Sequence, residues 1–205
     1  MVGRRYRRSS GHREGPSLVE PEFRRYGAER ARAVRDAVAL VHREAYAEQI
    51  AADDPFAGEE AFMRRFDAYA TRPDLDMVIA WCGGEPVAQA WGWPLTVRSG
   101  EAWWRGLAHE PEPGFTHEDG SRTFALSEIM VARAWTGQGI GHALHDELLS
   151  ARPESRAVLL VRPRNARAYR AYTGWGWRKA GELRPDLPHA VVMDVLILPL
   201  PISAP

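Results

Sequence analysis

The stretch Phe124 to Leu149 reads F-A-L-S-E-I-M-V-A-R-A-W-T-G-Q-G-I-G-H-A-L-H-D-E-L-L. Its first part is apolar and strand-like as far as Val131. Glycines then recur at Gly137, Gly139 and Gly141. Beyond them Ile140, Leu144 and Leu148 repeat every fourth residue, which predicts one buried face of a helix. Strand, glycine turn and helix together make a layout for binding phosphate. Glycines let backbone N–H groups approach an anion, and the helix dipole places partial positive charge behind it.

Two common phosphate loops do not fit. The dinucleotide fingerprint G-x-G-x-x-G needs a glycine where His142 stands, and it normally opens a domain rather than lying two-thirds along the chain. A Walker loop needs Lys-Ser or Lys-Thr after its last glycine, and none follows Gly141. A plain tight connection between strand and helix is the alternative reading of this turn.

Downstream, Ala157 to Val161 is continuously apolar, as expected of a parallel strand covered on both faces. Phe124 to Val161 is therefore predicted to be a right-handed β-α-β unit. Asn165 should cap a short helix over 166–173 that ends at Gly174. Two more strands are expected at 177–183 and 191–198.

Upstream, 29–48 is predicted as one long helix with Val34, Val38 and Val41 near one face. A second helix spans 59–69, with Phe62, Phe66 and Tyr69 together. Strands at 75–81 and 87–93 flank a Gly83-Gly84 turn and read as a hairpin. Ala88, Ala90 and Gly92 share a face on which something should pack closely. A first strand is placed at 17–23. The segment 98–120 reads as one long loop.

The chain has 205 residues, enough for one domain with a core of its own. We expect 1–15 to be a basic, disordered arm (Arg4, Arg5, Arg7, Arg8 and Arg13) and 16–205 a single domain. Lys plus Arg and Asp plus Glu are each 27, so a dedicated nucleic-acid binder is not expected. One cysteine, Cys82, rules out an internal disulfide and a cysteine-rich zinc site, and a reducing cytoplasm is the expected location. No run is long and apolar enough to suggest a membrane span.

The stretch T-G-Q-G-I-G resembles the acyl-coenzyme A signature of the GNAT family of N-acetyltransferases, with Gly139 and Gly141 on the matching positions. Thr136 departs from it, standing where that family usually has Gln or Arg. A second stretch, N-A-R-A-Y-R-A-Y-T-G-W-G-W, is similar to another segment of the family through Asn165, Ala168, Tyr172, Gly176 and Trp177. The order of the expected elements also resembles that family over nearly the whole chain after the arm.

The resemblance implies an α/β (α+β) acyl-CoA N-acyltransferase fold: a single mixed, largely antiparallel sheet with a central parallel, splayed strand pair, flanked by helices. It further implies acetyl-CoA as cosubstrate, held by Met130, Val131, Thr136, Gly137, Gln138, Gly139, Ile140, Gly141, His142 and Asn165. Glu128 is the implied base and Tyr172 the implied proton donor to departing coenzyme A. A structural carboxylate and a core aromatic are the respective alternatives. Strict alternation puts Phe124, Leu126, Glu128 and Met130 on one face of the strand, and Ser127, Ile129 and Val131 on the other.

The expected acceptor is a primary amine of a small molecule, attacked directly in a ternary complex, since no nucleophile elbow is present and Cys82 reads as inert. A non-catalytic acyl-CoA-binding module and a protein acetyltransferase guided by the basic arm are the other readings. Asp53, Asp54, Glu110, Glu112, Glu118 and Asp119 are candidates for attracting the amine. Trp91, Trp93, Trp103 and Trp104 are candidates for an aromatic wall, a core or a homodimer face. His142, His145 and Asp146 read as surface residues of one helix, and no metal is expected.

Overall fold

A computed structural model describes residues 20–52, 54, 57–186 and 190–202. The basic arm, Asp53, and the start of the strand expected at 17–23 lie outside the described residues. Strand β1 (Glu22–Gly27) is followed by helices α1 (Ala28–Ala33), α2 (Arg35–Ala45), α3 (Ala47–Ala51) and α4 (Glu59–Tyr69). The hairpin β2 (Asp76–Cys82) and β3 (Glu85–Pro94) comes next, then α5 (Val97–Trp104) and β4 (Thr123–Val131). A short 3-10 turn (Arg133–Trp135) leads into α6 (Ile140–Leu149) and β5 (Arg156–Val161). Helix α7 (Ala166–Gly174) and strands β6 (Arg178–Leu183) and β7 (Met193–Pro199) complete the described chain. None of the described helices is long and apolar enough to cross a membrane.

Among the described residues, seven strands form one sheet in the order β1-β2-β3-β4-β5-β7-β6. Every neighbouring pair is antiparallel except β4 and β5. The mixed, largely antiparallel sheet with a central parallel pair is therefore the one expected. The parallel pairing covers Thr123 to Ala125 against Arg156 to Val158 and goes no further. Beyond Ala125 the two strands part, and this splay positions the site.

Helices cover both faces. On one, α2 and α4 pack against Met77, Ile79, Trp91 and Trp93. On the other, α6 packs against Val78, Ala80, Ala88 and Ala90, so the period of two along β2 is obeyed. Ile140, Leu144 and Leu148 are all buried, as their spacing predicts. Each stabilises the fold by about 1.5–3 kcal/mol relative to exposure. The close approach expected near Gly92 is real: a Cβ there would lie 2.1 Å from the Ala125 carbonyl oxygen.

Four expectations are corrected. The helix expected at 29–48 is three helices, broken at Val34 and Tyr46, where φ is near −110°. Neither break carries the Gly or Pro that usually marks one. The loop expected at 98–120 opens with α5, whose start is held by reciprocal bonds between Thr96 and Ser99 (Ser99 N–H to Thr96 Oγ1, 3.2 Å; Thr96 N–H to Ser99 Oγ, 2.8 Å). Gly174 does not end α7 as a left-handed cap; Trp175 follows it, and the positive φ falls on Gly176 (94°).

The fourth concerns β4. Trp91 pairs with Glu128 while Gly92 pairs with Leu126, so Ser127 is an extra residue on β4. Such a bulge resets the alternation. Phe124 and Leu126 face α6, whereas Met130 faces α2, where Gln89 Nε2 donates to Met130 Sδ (3.2 Å) and to Val38 O (3.1 Å).

Candidate active site

The chain leaves β4 at Val131 and turns through Arg133–Trp135 toward α6. Gly137 (φ 80°) and Gly139 (φ 82°) then take left-handed conformations that side chains rarely adopt. A Cβ at either would meet nothing within 4 Å, so the cradle is open. No side chain caps α6. The His142 and Ala143 N–H groups turn back to Gly139 O (3.0 and 3.1 Å), while helix geometry leaves the Ile140 and Gly141 N–H groups without an intrahelical carbonyl. An uncapped helix start behind an open glycine turn suits an anionic group.

Side chains in this turn are used locally. Thr136 Oγ1 donates to Arg133 O (2.9 Å) and Gln138 Nε2 to Ala134 O (3.3 Å), so what both present outward is backbone. Ile140 is buried in the core. Gly141 lies where a Cβ would touch Val131 (3.4 Å), which keeps α6 close to the end of β4. Across the splay, Asn165 Oδ1 accepts from the Ala168 N–H (3.2 Å) and caps α7, as expected.

Glu128 lies at the bulge. The residue keeps some solvent exposure, yet its carboxyl sits deep among protein atoms. Burial pushes it up from 4.5 to about 7, against a smaller opposing pull from the Arg65 guanidinium. Tyr172, on α7, is raised above 10 by burial first, then by the Tyr46 phenol and the Glu128 carboxylate. The two expected catalytic side chains are thus brought together from β4 and α7. One is a carboxyl titrating near neutrality, the other a phenol that keeps its proton.

Two further phenols share this environment: Tyr69, on the expected face of α4, and Tyr46, which no sequence pattern marked. Burial, followed by the Glu128 carboxylate, pushes Tyr46 up to about 12 and raises Tyr69 as well. Tyr46 occupies the break between α2 and α3 and stacks on buried His42 (5.1 Å, 20°). His42 in turn stacks on Phe62 (3.9 Å, 7°), and burial holds its imidazole down at about 4. A broken helix would have flagged Tyr46, but periodicity ran through it.

Several expected acceptor groups are elsewhere. Glu118 is buried, and its Oε1 accepts from Arg156 (3.0 Å), Thr123 (2.8 Å) and Trp104 (3.1 Å). It ties the loop after α5 to the sheet. Trp91 and Trp93 are core residues, and Trp104, also buried, lines a hollow with Glu101, Leu107 and His109 rather than joining the other indoles in one wall. Trp103 packs edge-on to Trp93 (6.5 Å, 84°). Asp54 is paired with Arg162 (3.1 Å). Cys82 is buried, and burial pushes its thiol up, in keeping with an inert side chain.

His142, His145 and Asp146 place one donor atom each within 4.8 Å of one another. Of the three, His145 is not a surface residue: it is 1% exposed. Its Nε2 accepts from the Trp177 indole N–H (2.9 Å), which leaves the ring proton on Nδ1, facing Asp146 Oδ1 (2.7 Å). Both ring nitrogens are occupied, so this arrangement does not offer His145 as a ligand.

Comparison with known proteins bears on the family and the fold. A family model described as the acetyltransferase (GNAT) family matches residues 43–177. No curated protein matches the chain. Among solved structures, the PaiA N-acetyltransferase of Thermoplasma acidophilum in complex with coenzyme A is similar at TM-score 0.54 and 11% identity, over 88% of this chain and 99% of that one. The ribosomal-protein-S18-alanine N-acetyltransferase of Escherichia coli gives TM-score 0.58 and 17% identity over 89% and 97%. YncA of Salmonella typhimurium with its cofactor acetyl-CoA gives 0.53 and 13% over 91% and 97%. At these identities the structures attest the fold, while the family match spans about two-thirds of the chain. With its splayed parallel pair and open glycine turn, the chain belongs to the GNAT family and is an acetyl-CoA-dependent N-acetyltransferase.

Proposed function

We propose that the chain moves the acetyl group of acetyl-CoA directly onto a primary amine of a small molecule, with Glu128 as base and Tyr172 as proton donor. The observation carrying this reading is Glu128 itself, a carboxyl at about 7 on the bulged strand beside Tyr172. An alkylamine is mostly protonated at neutral pH and must lose a proton before it attacks. A base titrating near working pH is suited to that task.

In this reading the backbone of Gly137 to His142 and the start of α6 hold the pyrophosphate. Met130 and Val131 contribute backbone along β4, and Asn165 borders the opposite wall. The amine nitrogen attacks the thioester carbon, forming the C–N bond as the C–S bond breaks. Glu128 takes the amine proton, directly or through water, Tyr172 donates to the departing sulfur, and Tyr172 regains a proton from solvent as Glu128 releases its own. The products are the N-acetylamine and free coenzyme A thiol.

A small acceptor is favoured by two ion pairs that tie α3 and the residues after it to the cosubstrate side. Glu48 meets Arg133 (2.8 Å) beside the glycine turn, and Asp54 meets Arg162 (3.1 Å) beyond β5. In this reading the two pairs leave room at Tyr46 for a small amine rather than for a chain. A thiol-release assay with acetyl-CoA against a panel of small amines and peptide N-termini tests the reading. Turnover confined to small amines, and lost in Glu128→Gln, is the expected result. Turnover with peptides alone would overturn the acceptor class.

A further inference from the structure

Helix α7 carries Tyr172 but contributes no fully buried residue to the core. Its Ala168, Tyr169 and Tyr172 side chains are only partly buried against the core, and a displacement of about 1 Å at a catalytic group can cost on the order of 10²-fold in rate, so what fixes the last turn matters. The backbone points to what does. The N–H groups of Trp175 and Trp177 both donate to the Tyr172 carbonyl (3.0 Å each), so the turn after α7 hangs from Tyr172 itself.

That turn is fastened to α6. Trp177 is 2% exposed, and its indole N–H donates to His145 Nε2 (2.9 Å). An indole nitrogen only donates, so His145 is held in one tautomer, with its Nδ1 proton directed at Asp146 (2.7 Å). Trp175 lies flat on His142 (5.2 Å, 5°) and leans on His145 (4.9 Å, 44°). The Tyr172 ring meets the edge of Trp175 (5.7 Å, 77°) and tilts on Trp177 (6.2 Å, 60°). Indole, imidazole and carboxylate thus form a chain from the helix behind the phosphate cradle to the ring of the proton donor.

We propose that His145 and Trp177 are positioning residues for Tyr172: their hydrogen bond sets the end of α7 against α6 and so places the phenol at the leaving sulfur. This rests on the reading of Tyr172 as proton donor. A buried His–Trp pair of purely structural value would stabilise the domain without acting through one hydroxyl. Here Trp177, held by His145, meets both the ring and the carbonyl of the residue that carries that hydroxyl.

The test is a double-mutant cycle on the full chain, read as kcat and as KM for acetyl-CoA. Trp177→Phe keeps the ring and removes the N–H. His145→Leu removes the acceptor, while His145→Gln keeps an amide oxygen for Trp177 and an N–H for Asp146. We expect Trp177→Phe and His145→Leu to lower kcat about tenfold with KM within about twofold, His145→Gln to retain most of it, and neither loss to recur in a Tyr172→Phe background. Equal losses with and without the Tyr172 hydroxyl would overturn the proposal. So would unchanged kcat in Trp177→Phe and His145→Leu while Tyr172→Phe is impaired. A fully active Tyr172→Phe would instead overturn the donor reading on which the proposal stands. Should Trp177→Phe fail to fold, His145→Leu and His145→Gln, each with and without the Tyr172 hydroxyl, decide the matter.

Discussion

Trp91 faces Glu128 across the β3–β4 ladder, while the next residue of β3, Gly92, faces Leu126. Ser127 is the residue left over. The carboxylate thereby lands on the α2–α4 side of the sheet, near Tyr46, Tyr69 and Arg65, at the point where β4 has already parted from β5.

The first prediction concerns pH. Glu128 titrates at about 7, so kcat/KM should be full above that value and fall as pH drops through it. Glu128→Gln should lose about 10²-fold in rate and this acidic limb together, with acetyl-CoA binding retained. A pH–rate profile of both proteins checks it; an unchanged profile would leave Glu128 structural.

The same shift fixes the sign of a stability effect. The folded carboxyl holds its proton up to about 7, the unfolded one only to 4.5. The folded state therefore binds more protons in that window, and stability falls as pH rises from 4.5 through 7. Glu128→Gln should raise the Tm relative to wild type at pH 8 and change it little at pH 4. Thermal melts at the two pH values measure this.

At the cradle, Gly139→Val puts a β-branched side chain at φ 82°, where even a simple L-residue costs about 1–2 kcal/mol. A Cβ meets nothing within 4 Å, so the fold should survive while coenzyme A binding weakens at least tenfold. Calorimetry reads the affinity and circular dichroism the fold. Unchanged affinity would move the phosphate site elsewhere.

Tyr172→Phe should lower kcat by about 10-fold or more and leave the KM for acetyl-CoA nearly constant, because it removes a proton donor acting in the transition state. Steady-state kinetics with saturating amine separates the two constants. A variant with wild-type turnover would assign Tyr172 to packing.

Gly92→Ala addresses the bulge. The new methyl would sit 2.1 Å from the Ala125 carbonyl oxygen and 2.6 Å from the Phe124 ring. Backbone cannot yield cheaply there, so a loss of about 3 kcal/mol or more is expected. Urea denaturation measures it. A loss below 1 kcal/mol would mean that β3 and β4 separate more easily than their register suggests.

Much of this protein was legible in its local sequence because the signals are local. The four-residue repeat of Ile140, Leu144 and Leu148, the Asn165 cap, the Gly83-Gly84 hairpin and the Gly137–Gly141 turn each depend on a few adjacent residues. Each appears where it was expected. Their order was enough to indicate the parallel pair of the β-α-β unit, and the resemblance to the GNAT family supplied the rest of the sheet.

Tertiary structure alone decided what depends on partners far along the chain. Ser127 bulges because of its register with Trp91 and Gly92, some 35 residues earlier, and no period within β4 records that. Tyr46 and Tyr69 join Glu128 because α2 breaks and α4 packs across the sheet, without a Gly or Pro to mark the break. Glu118 looked like one of several loop carboxylates until Arg156, Thr123 and Trp104 closed on one of its oxygens. His145 looked solvated until Trp177, 32 residues away, supplied a buried donor. Periodicity reports which face of an element is apolar; which polar side chain is buried, paired or shifted in pKa is set by the elements folded against it.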